Sequence, residues 1–466
     1  MKQDRANLLQ DLDLAGLHEA LARRIAYRTE SQLPEQASEL RRYLLEEMAP
    51  SFAALGFETQ LWENPVAGAP PMLFASRFED AALPTVLMYG HGDVVPGDDA
   101  RWRKAASPWK LEIKDGRWYG RGSADNKGQH SINLAALAHL LKQQGRLGFN
   151  VKWLVEMGEE VGSPGLQQIC ELHGDDLAAD VFIASDGPRL RTEMPTLFLG
   201  SRGVLNFNLE LDLREGAHHS GNWGGLLANP GVILASAIAS IVDAQGVIQV
   251  AGLRPPAIAA SVRKALADVQ PGEPDGPAID VHWGEPGLSP AERVFAWNSV
   301  EVLALRCGNP DRPVNAIPPR AVAHMQIRFV VGNDQNSFLP ALRGHLDQRG
   351  FAQVKLTQDR AEIMSATRLD PDSAWVRFAV KSLTRTTGQA PVVLPNLGGS
   401  LPNECFSGVL GLPTIWVPHS APTCSQHAPD EHLPAFSGEQ GLAIMVGLFA
   451  DLGEAWPDGC GRRAQG

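Results

Sequence analysis

Four short apolar runs in this chain each stop at a residue that can bind a metal ion. Thr85 to Tyr89 ends just before His91-Gly-Asp93, and Val151 to Met157 runs into Glu159-Glu160. Asp180 to Ala184 leads to Asp186, and Pro413 to Pro418 leads into a loop carrying His427. Short apolar runs bounded by turn signals predict buried strands. In open sheets of parallel strands, ligands gather beyond the carboxyl ends of the strands, at a switch point. The pattern therefore predicts an enzyme site supplied by four strand ends.

The spacing of apolar positions also divides the chain. Residues 1 to about 196 alternate strand-like runs with helix-like segments, the pattern of an α/β sheet with helices on its faces. Gly128 to Gln144, closed by Gly145, predicts a helix. After Leu199-Gly-Ser-Arg-Gly203 the pattern changes. Val204 to Leu213 alternates, with Phe207, Leu209, Leu211 and Leu213 on one side, which predicts a strand with one solvated face. A helix over Pro230 to Gln245 follows, then a Pro/Gly-rich stretch to Pro290, then alternating strands at Ser299 to Cys307 and Ala321 to Val330. A helix and a strand over about 336 to 357 complete a unit of antiparallel strands and helices. Beyond Asp370 the reading is helix, loop, and the buried strand Pro413 to Pro418. The expected fold class is α/β with two domains: residues 1–198 and 364–466 form a mixed-sheet domain, and residues 199–363 form an inserted α+β unit. No internal repeat or low-complexity tract interrupts it.

Length and charge narrow the picture. A chain of 466 residues exceeds the roughly 250–300 at which a single core stops growing, so two domains are expected. With 44% hydrophobic and 20% charged residues, the composition is that of a folded globular protein. The balance of 41 basic against 53 acidic residues, net −12, argues against a nucleic-acid footprint or attraction to an anionic membrane. Cys170, Cys307, Cys405, Cys424 and Cys460 show no CxxC spacing, and their odd number fits a reducing compartment. The N-terminus lacks the apolar core of a signal peptide, and no run of about 18 apolar residues appears. The expectation is a soluble, cytoplasmic protein.

Each candidate site residue has a plain structural reading beside the chemical one. His91 and Asp93 can reach the same side of a sheet, His91 as a ligand and Asp93 holding its other ring nitrogen; alone, such a pair is more often structural. Asp125, in the glycine-rich turn Gly120-Arg-Gly-Ser-Ala-Asp125-Asn-Lys-Gly128, reads either as a helix N-cap or as a carboxylate shared by two ions about 3.5–4 Å apart. Glu159 and Glu160 are either a solvated pair or a base beside a ligand at a core edge. Asp186 could make an Asx turn. His427 shares its polar loop with His432, and an exposed loop histidine usually has no special role. Taken together, two histidines and three carboxylates supply the mixed nitrogen and oxygen set that zinc, cobalt or manganese accepts.

In order along nearly the whole chain, these motifs resemble the two-metal peptidases and deacylases of the aminoacylase and glutamate-carboxypeptidase family (M20), most closely the dipeptidase, carnosinase-like branch. The carrying segments are His91-Gly-Asp93-Val-Val-Pro96, Gly120 to Gly128, Glu159-Glu-Val-Gly-Ser-Pro-Gly165, Ser185-Asp-Gly-Pro188, His219-Ser-Gly221, Asn315-Ala-Ile-Pro318, Gly398-Gly-Ser-Leu-Pro402 and the His427 loop. The resemblance implies one ion on Asp125, Glu160 and His427, and another on His91, Asp125 and Asp186. Zinc is the expected metal, with manganese or cobalt as alternatives. Glu159 becomes the base, Asp93 the residue behind His91, and the Asp125–Asn126 peptide is expected to be cis. It further implies that residues 199–363 form a ferredoxin-like lid that mediates a homodimer. His219, Asn315, Arg328, Gly399 and Ser400 then position substrate, with Arg328 against a carboxylate. Each has a plain alternative: Asn315 starts a turn, Arg328 is a surface charge, Ser400 is a loop residue, and His218 competes with His219.

Three functions fit to different degrees. A dipeptidase attacks a peptide carbonyl with activated water, and a deacylase does the same to an N-acyl amino acid with the same residues. A non-catalytic binding protein on this fold should have lost Glu159 or a ligand, and neither is missing.

Overall fold

The structure, a computed structural model, describes residues 5–273, 276–358 and 363–457. Cys460 lies outside the described residues, and the other four cysteines carry free thiols. Among the described residues twelve strands build the two larger sheets: β1 (Glu58–Trp62), β2 (Met72–Arg77), β3 (Thr85–His91), β4 (Asn150–Glu156), β5 (Val181–Ala184), β6 (Thr196–Phe198), β7 (Gly203–Asp212), β8 (Ser299–Cys307), β9 (Arg320–Phe329), β10 (Lys355–Gln358), β11 (Val392–Leu394) and β12 (Thr414–Trp416). The helices that matter for the site are α1 (Leu14–Ala26), α2 (Lys127–Gln144), α3 (Pro230–Ile241), α4 (Phe338–Gln348), α5 (Ala374–Thr387) and α6 (Ala435–Glu454).

The eight-stranded sheet runs β1-β2-β4-β3-β5-β12-β6-β11. Its four central strands, β4, β3, β5 and β12, are mutually parallel, and antiparallel neighbours lie outside them. Both faces of these central strands are covered. On one face Val86, Met88, Trp153, Val155, Ile183 and Ile415 join Leu17, Leu21 and Ile25 of α1, Ile132 and Leu137 of α2, and Phe449 of α6. On the other, Leu87, Tyr89, Leu154, Phe182 and Trp416 pack with Leu166, Ile169 and Phe406. Strands buried on two faces show continuous apolar runs with no alternation, as the sequence does here.

The helix α2 begins one residue earlier than expected and closes at Gly145, which adopts φ 72° and donates its N–H to Leu141. A left-handed glycine at this position is the common stop for a helix. The long helix α6 is buried almost all round, and the sequence reading passed over it. A helix covered on every side has no polar face to mark its period.

The second sheet is antiparallel throughout, in the order β8-β9-β7-β10. With its helices it reads β7-α3-β8-β9-α4-β10 along the chain, the βαββαβ arrangement of ferredoxin-like folds. Alternate residues Leu205, Phe207, Leu209 and Leu211 of β7 point into a core with Leu234 of α3 and Leu342 of α4. Their neighbours Asn206 and Asn208 lie on the open polar face and bond to Gln326 and His324 across the ladder. The expected helix over Pro230 to Gln245 stops at Ile241. Beyond it Val242 is extended, and Asp243 Oδ1 accepts the N–H groups of Gln245 and Val247, each at 2.9 Å. A short acidic side chain bonding to its own backbone offers a turn in place of helix. No helix among the described residues is long and apolar enough to cross a membrane.

Candidate metal centre

All four parallel central strands release the chain at the same edge of the sheet. β3 ends on His91, and its ladder with β4 continues one residue through the Gly92 N–H to the Glu156 carbonyl. The His91 ring is buried. Its Nδ1 lies 3.0 Å from the Asp93 carbonyl oxygen and 3.3 Å from Asp93 Oδ1. That contact aims Nε2 at Asp125 Oδ1, 3.0 Å away, with Asp186 Oδ2 at 3.7 Å. Asp93 does more than orient the ring. Its two carboxylate oxygens accept the N–H groups of Glu159 (3.2 Å) and Glu160 (3.1 Å), which pins the loop after β4 to the end of β3.

Asp125 stands between two histidines. Its second oxygen lies 3.2 Å from His427 Nε2, and that same nitrogen is 3.0 Å from Glu160 Oε2. The ligand atoms of His91, Asp125 and Asp186 lie within 4.8 Å of one another, as do those of Asp125, Glu160 and His427. Asp125 is not the N-cap of α2; Asn126 occupies that position, and the peptide between them is cis. Asp186 accepts the N–H of the next residue, Gly187, on one oxygen at 2.6 Å, which is not the two-residue reach of an Asx turn, and faces His91 with the other. Of the two imidazoles in the final loop, only His427 reaches the cluster. His432 pairs with Tyr119 in a small three-stranded sheet.

Charge in this cluster is crowded. Burial and the Asp125 carboxylate push Glu160 up to about 7 and Asp186 up to about 6. Burial, with Asp186, Glu160 and Asp125 nearby and against the pull of His91, holds Glu159 well above the usual carboxylate range. Hydrogen bonds to Asp125 and Glu160 raise His427 to about 11. Burial opposes charge on His91, yet Asp125 and Asp93 hold it well above its ordinary value. Among the described residues no Lys or Arg pairs with Asp125, Glu160 or Asp186; their ion-pair partners are the two histidines. Imidazole and carboxylate donors that converge without a resident cation fit a pair of divalent ions of the zinc, cobalt or manganese type.

The residues expected to meet substrate fall in two places. Arg328, on β9, is half-buried and donates to Ser400 Oγ at 2.7 Å and to Gln326 Oε1 at 2.9 Å. It is not a free surface charge. Ser400 in turn donates to the Arg202 carbonyl, and Arg202 donates to the Gly398 carbonyl beside Gly399. His219 and Asn315 lie elsewhere, both exposed. His219 sits on a short ladder pairing His218–His219 with Ala316–Ile317, and Asn315 accepts the Ser220 N–H at 2.8 Å. The His219 ring accepts the Gly221 N–H, as a cap would. The sequence reading missed Arg202, whose side chain neighbours Arg328, and Glu431, whose only signal was an acid between Asp430 and His432.

Residues 87–452 match peptidase family M20/M25/M40. Over 408 residues the chain is 34% identical to the human Beta-Ala-His dipeptidase, covering 83% of this chain and 78% of that one. It is 28% identical over 323 residues to the Cysteinylglycine-S-conjugate dipeptidase of Corynebacterium striatum, covering 68% and 70%. Among solved structures, the M20 family metallo-carboxypeptidase Sso-CP2 of Sulfolobus solfataricus aligns with a TM-score of 0.76 and 26% identity over 96% of this chain and 100% of that one.

Proposed function

The chain belongs to peptidase family M20/M25/M40 and so to the peptide-bond hydrolases, and we propose that it is a two-metal dipeptidase. The observation that carries this reading is the pair of ligand groups sharing Asp125, with Glu159 in electrostatic contact with His91, Asp186, Glu160 and Asp125. In this reading His91, Asp125 and Asp186 hold one divalent ion and Asp125, Glu160 and His427 hold the other. The ions, zinc or failing that manganese or cobalt, supply Lewis-acid polarisation of the scissile carbonyl and a lowered pKa for water.

The protein's own groups do the rest. Asp93 sets the tautomer of His91 through Nδ1 and holds the backbone of Glu159 in place. Glu159 takes the proton of the attacking water and hands it to the leaving amine nitrogen. Its raised pKa reflects burial first and the neighbouring carboxylates Asp186, Glu160 and Asp125 after it, and the carboxylate charge is what dications offset. Arg328 has no acidic partner among the described residues, and its bond to Ser400 aims it at the loop Gly398 to Ser400; it binds the free carboxylate of the substrate. His219 and Asn315 belong to a second surface that meets substrate, supplied by the partner of a homodimer. Residues 199–363 act as the lid and dimerisation domain. Its edge strand β8 exposes Val302 (42%), Leu303 (58%) and Leu305 (56%), an apolar edge of the kind soluble proteins normally cover. The likeness to two dipeptidases favours peptides over acyl amino acids.

Restoring metal to stripped protein tests this directly. Hydrolysis of a dipeptide should rise with added zinc and saturate at two ions per chain. Full activity in the continued presence of a strong chelator, or saturation at one ion, contradicts the two-metal reading.

A further inference from the structure

One side chain ties the loop of Asp125 to the loop of His427. Glu431 is 1% exposed, and its carboxylate accepts four hydrogen bonds from a single short stretch. Oε2 takes Arg121 Nη1 at 2.8 Å and the Gly122 N–H at 3.0 Å. Oε1 takes the N–H groups of Ala124 at 2.9 Å and of Asp125 itself at 3.0 Å. The Glu431 backbone carbonyl accepts the Gly120 N–H at 3.1 Å, so the stretch is gripped at both ends. On its own side Glu431 follows His427 by four residues. The intervening Asp430 anchors the loop by accepting the N–H groups of Arg103 and Lys104. Charge-assisted bonds to a carboxylate in a dry interior are among the strong ones.

We propose that Glu431 is a positioning residue that fixes Asp125 relative to His427 and thereby decides whether the centre holds two ions or one. The proposal rests on the two-metal reading above. Two ions sharing a carboxylate sit about 3.5–4 Å apart, so a small displacement of Asp125 from His427 dismantles the group made by Asp125, Glu160 and His427. The group made by His91, Asp125 and Asp186 keeps two ligands, His91 at the end of β3 and Asp186 just beyond β5, which Glu431 does not touch. Glu431→Gln keeps the side-chain shape but turns one acceptor oxygen into an N–H donor facing two donors. Two of the four bonds are lost, and the loop must move to relieve the opposed groups.

The test is zinc titration of the stripped full-length chain against a chromophoric chelator, with native mass spectrometry for stoichiometry. The wild-type chain should take two ions. Glu431→Gln should take one as tightly and bind the second about 10–100-fold more weakly, the usual loss when a residue behind a ligand is removed. Arg121→Gln breaks the same ion pair but leaves the three backbone bonds, so it should lower thermal stability while keeping both ions. If Glu431→Gln does not fold, Glu431→Asp, one methylene shorter, should show the same weakened second ion. Two ions at wild-type affinity in whichever Glu431 variant folds overturn the proposal. An equal loss in Arg121→Gln also overturns it, since the effect would then be one of general stability. A wild-type chain that binds fewer than two ions overturns the two-metal reading instead, so the two failures are told apart.

Discussion

At the level of single residues, the proposed roles divide between groups that bind metal and one, Glu159, that moves a proton. Glu159→Gln is nearly isosteric and leaves every proposed ligand in place. It should retain two ions while turnover falls by roughly 10²–10⁴-fold, the usual worth of a general base; steady-state rates alongside metal analysis check both halves. Near-normal turnover would remove Glu159 from that role. Protons supply a second check. Without metal, hydrogen bonds to Asp125 and Glu160 raise His427 to about 11, so its ring is charged at pH 7 and must lose a proton to bind an ion, and His91 is also held above its ordinary range. Zinc added to stripped protein at pH 7 should therefore release protons, and binding should weaken as pH falls. Calorimetry in buffers of different ionisation enthalpy measures that release. Most of these residues were legible because each stands where an apolar run ends. Glu431 was not, because its importance comes from backbone groups some 300 residues away in sequence.

Among the elements, the central strands were readable because burial on both faces leaves continuous apolar runs, and β7 and β9 because one open face leaves alternation. The helix α6 was not, since it lacks a polar face, and neither were the three-residue strands β6 and β11, which are too short to show a period. The junction of the Asp125 loop with α2 depends on Gly128. A Cβ there would lie 1.8 Å from the Ser123 carbonyl oxygen, a backbone atom that cannot swing aside. Gly128→Ala should cost about 1–3 kcal/mol or more of stability, as overpacking does, and should weaken metal binding by shifting Asp125. Urea unfolding with and without zinc separates the two effects. A midpoint and a metal affinity both unchanged would show that the loop can recede without consequence.

For the whole molecule, one sheet carries the candidate ligand cluster at its strand ends, and the other carries Arg328 and the apolar strand β8, which is an edge strand among the described residues. If that edge joins two copies, the wild-type chain should sediment as a dimer, and Leu303→Lys with Leu305→Lys should give monomers whose dipeptide turnover is much reduced, because His219 and Asn315 no longer face a partner's centre. A fully active monomer would confine the site to one chain. The change of pattern after Leu199 is legible where β7 begins at Gly203, but nothing in the sequence shows how Arg328 meets Ser400, a contact between segments 72 residues apart. The most direct test of the central claim is a mass-spectrometric panel that presents dipeptides, longer peptides and N-acetyl or N-succinyl amino acids to the zinc-restored protein. Cleavage confined to dipeptides, and abolished by stripping the metal, is the predicted result. Turnover only of acyl amino acids, or release of single residues from long peptides in preference to dipeptides, would contradict it.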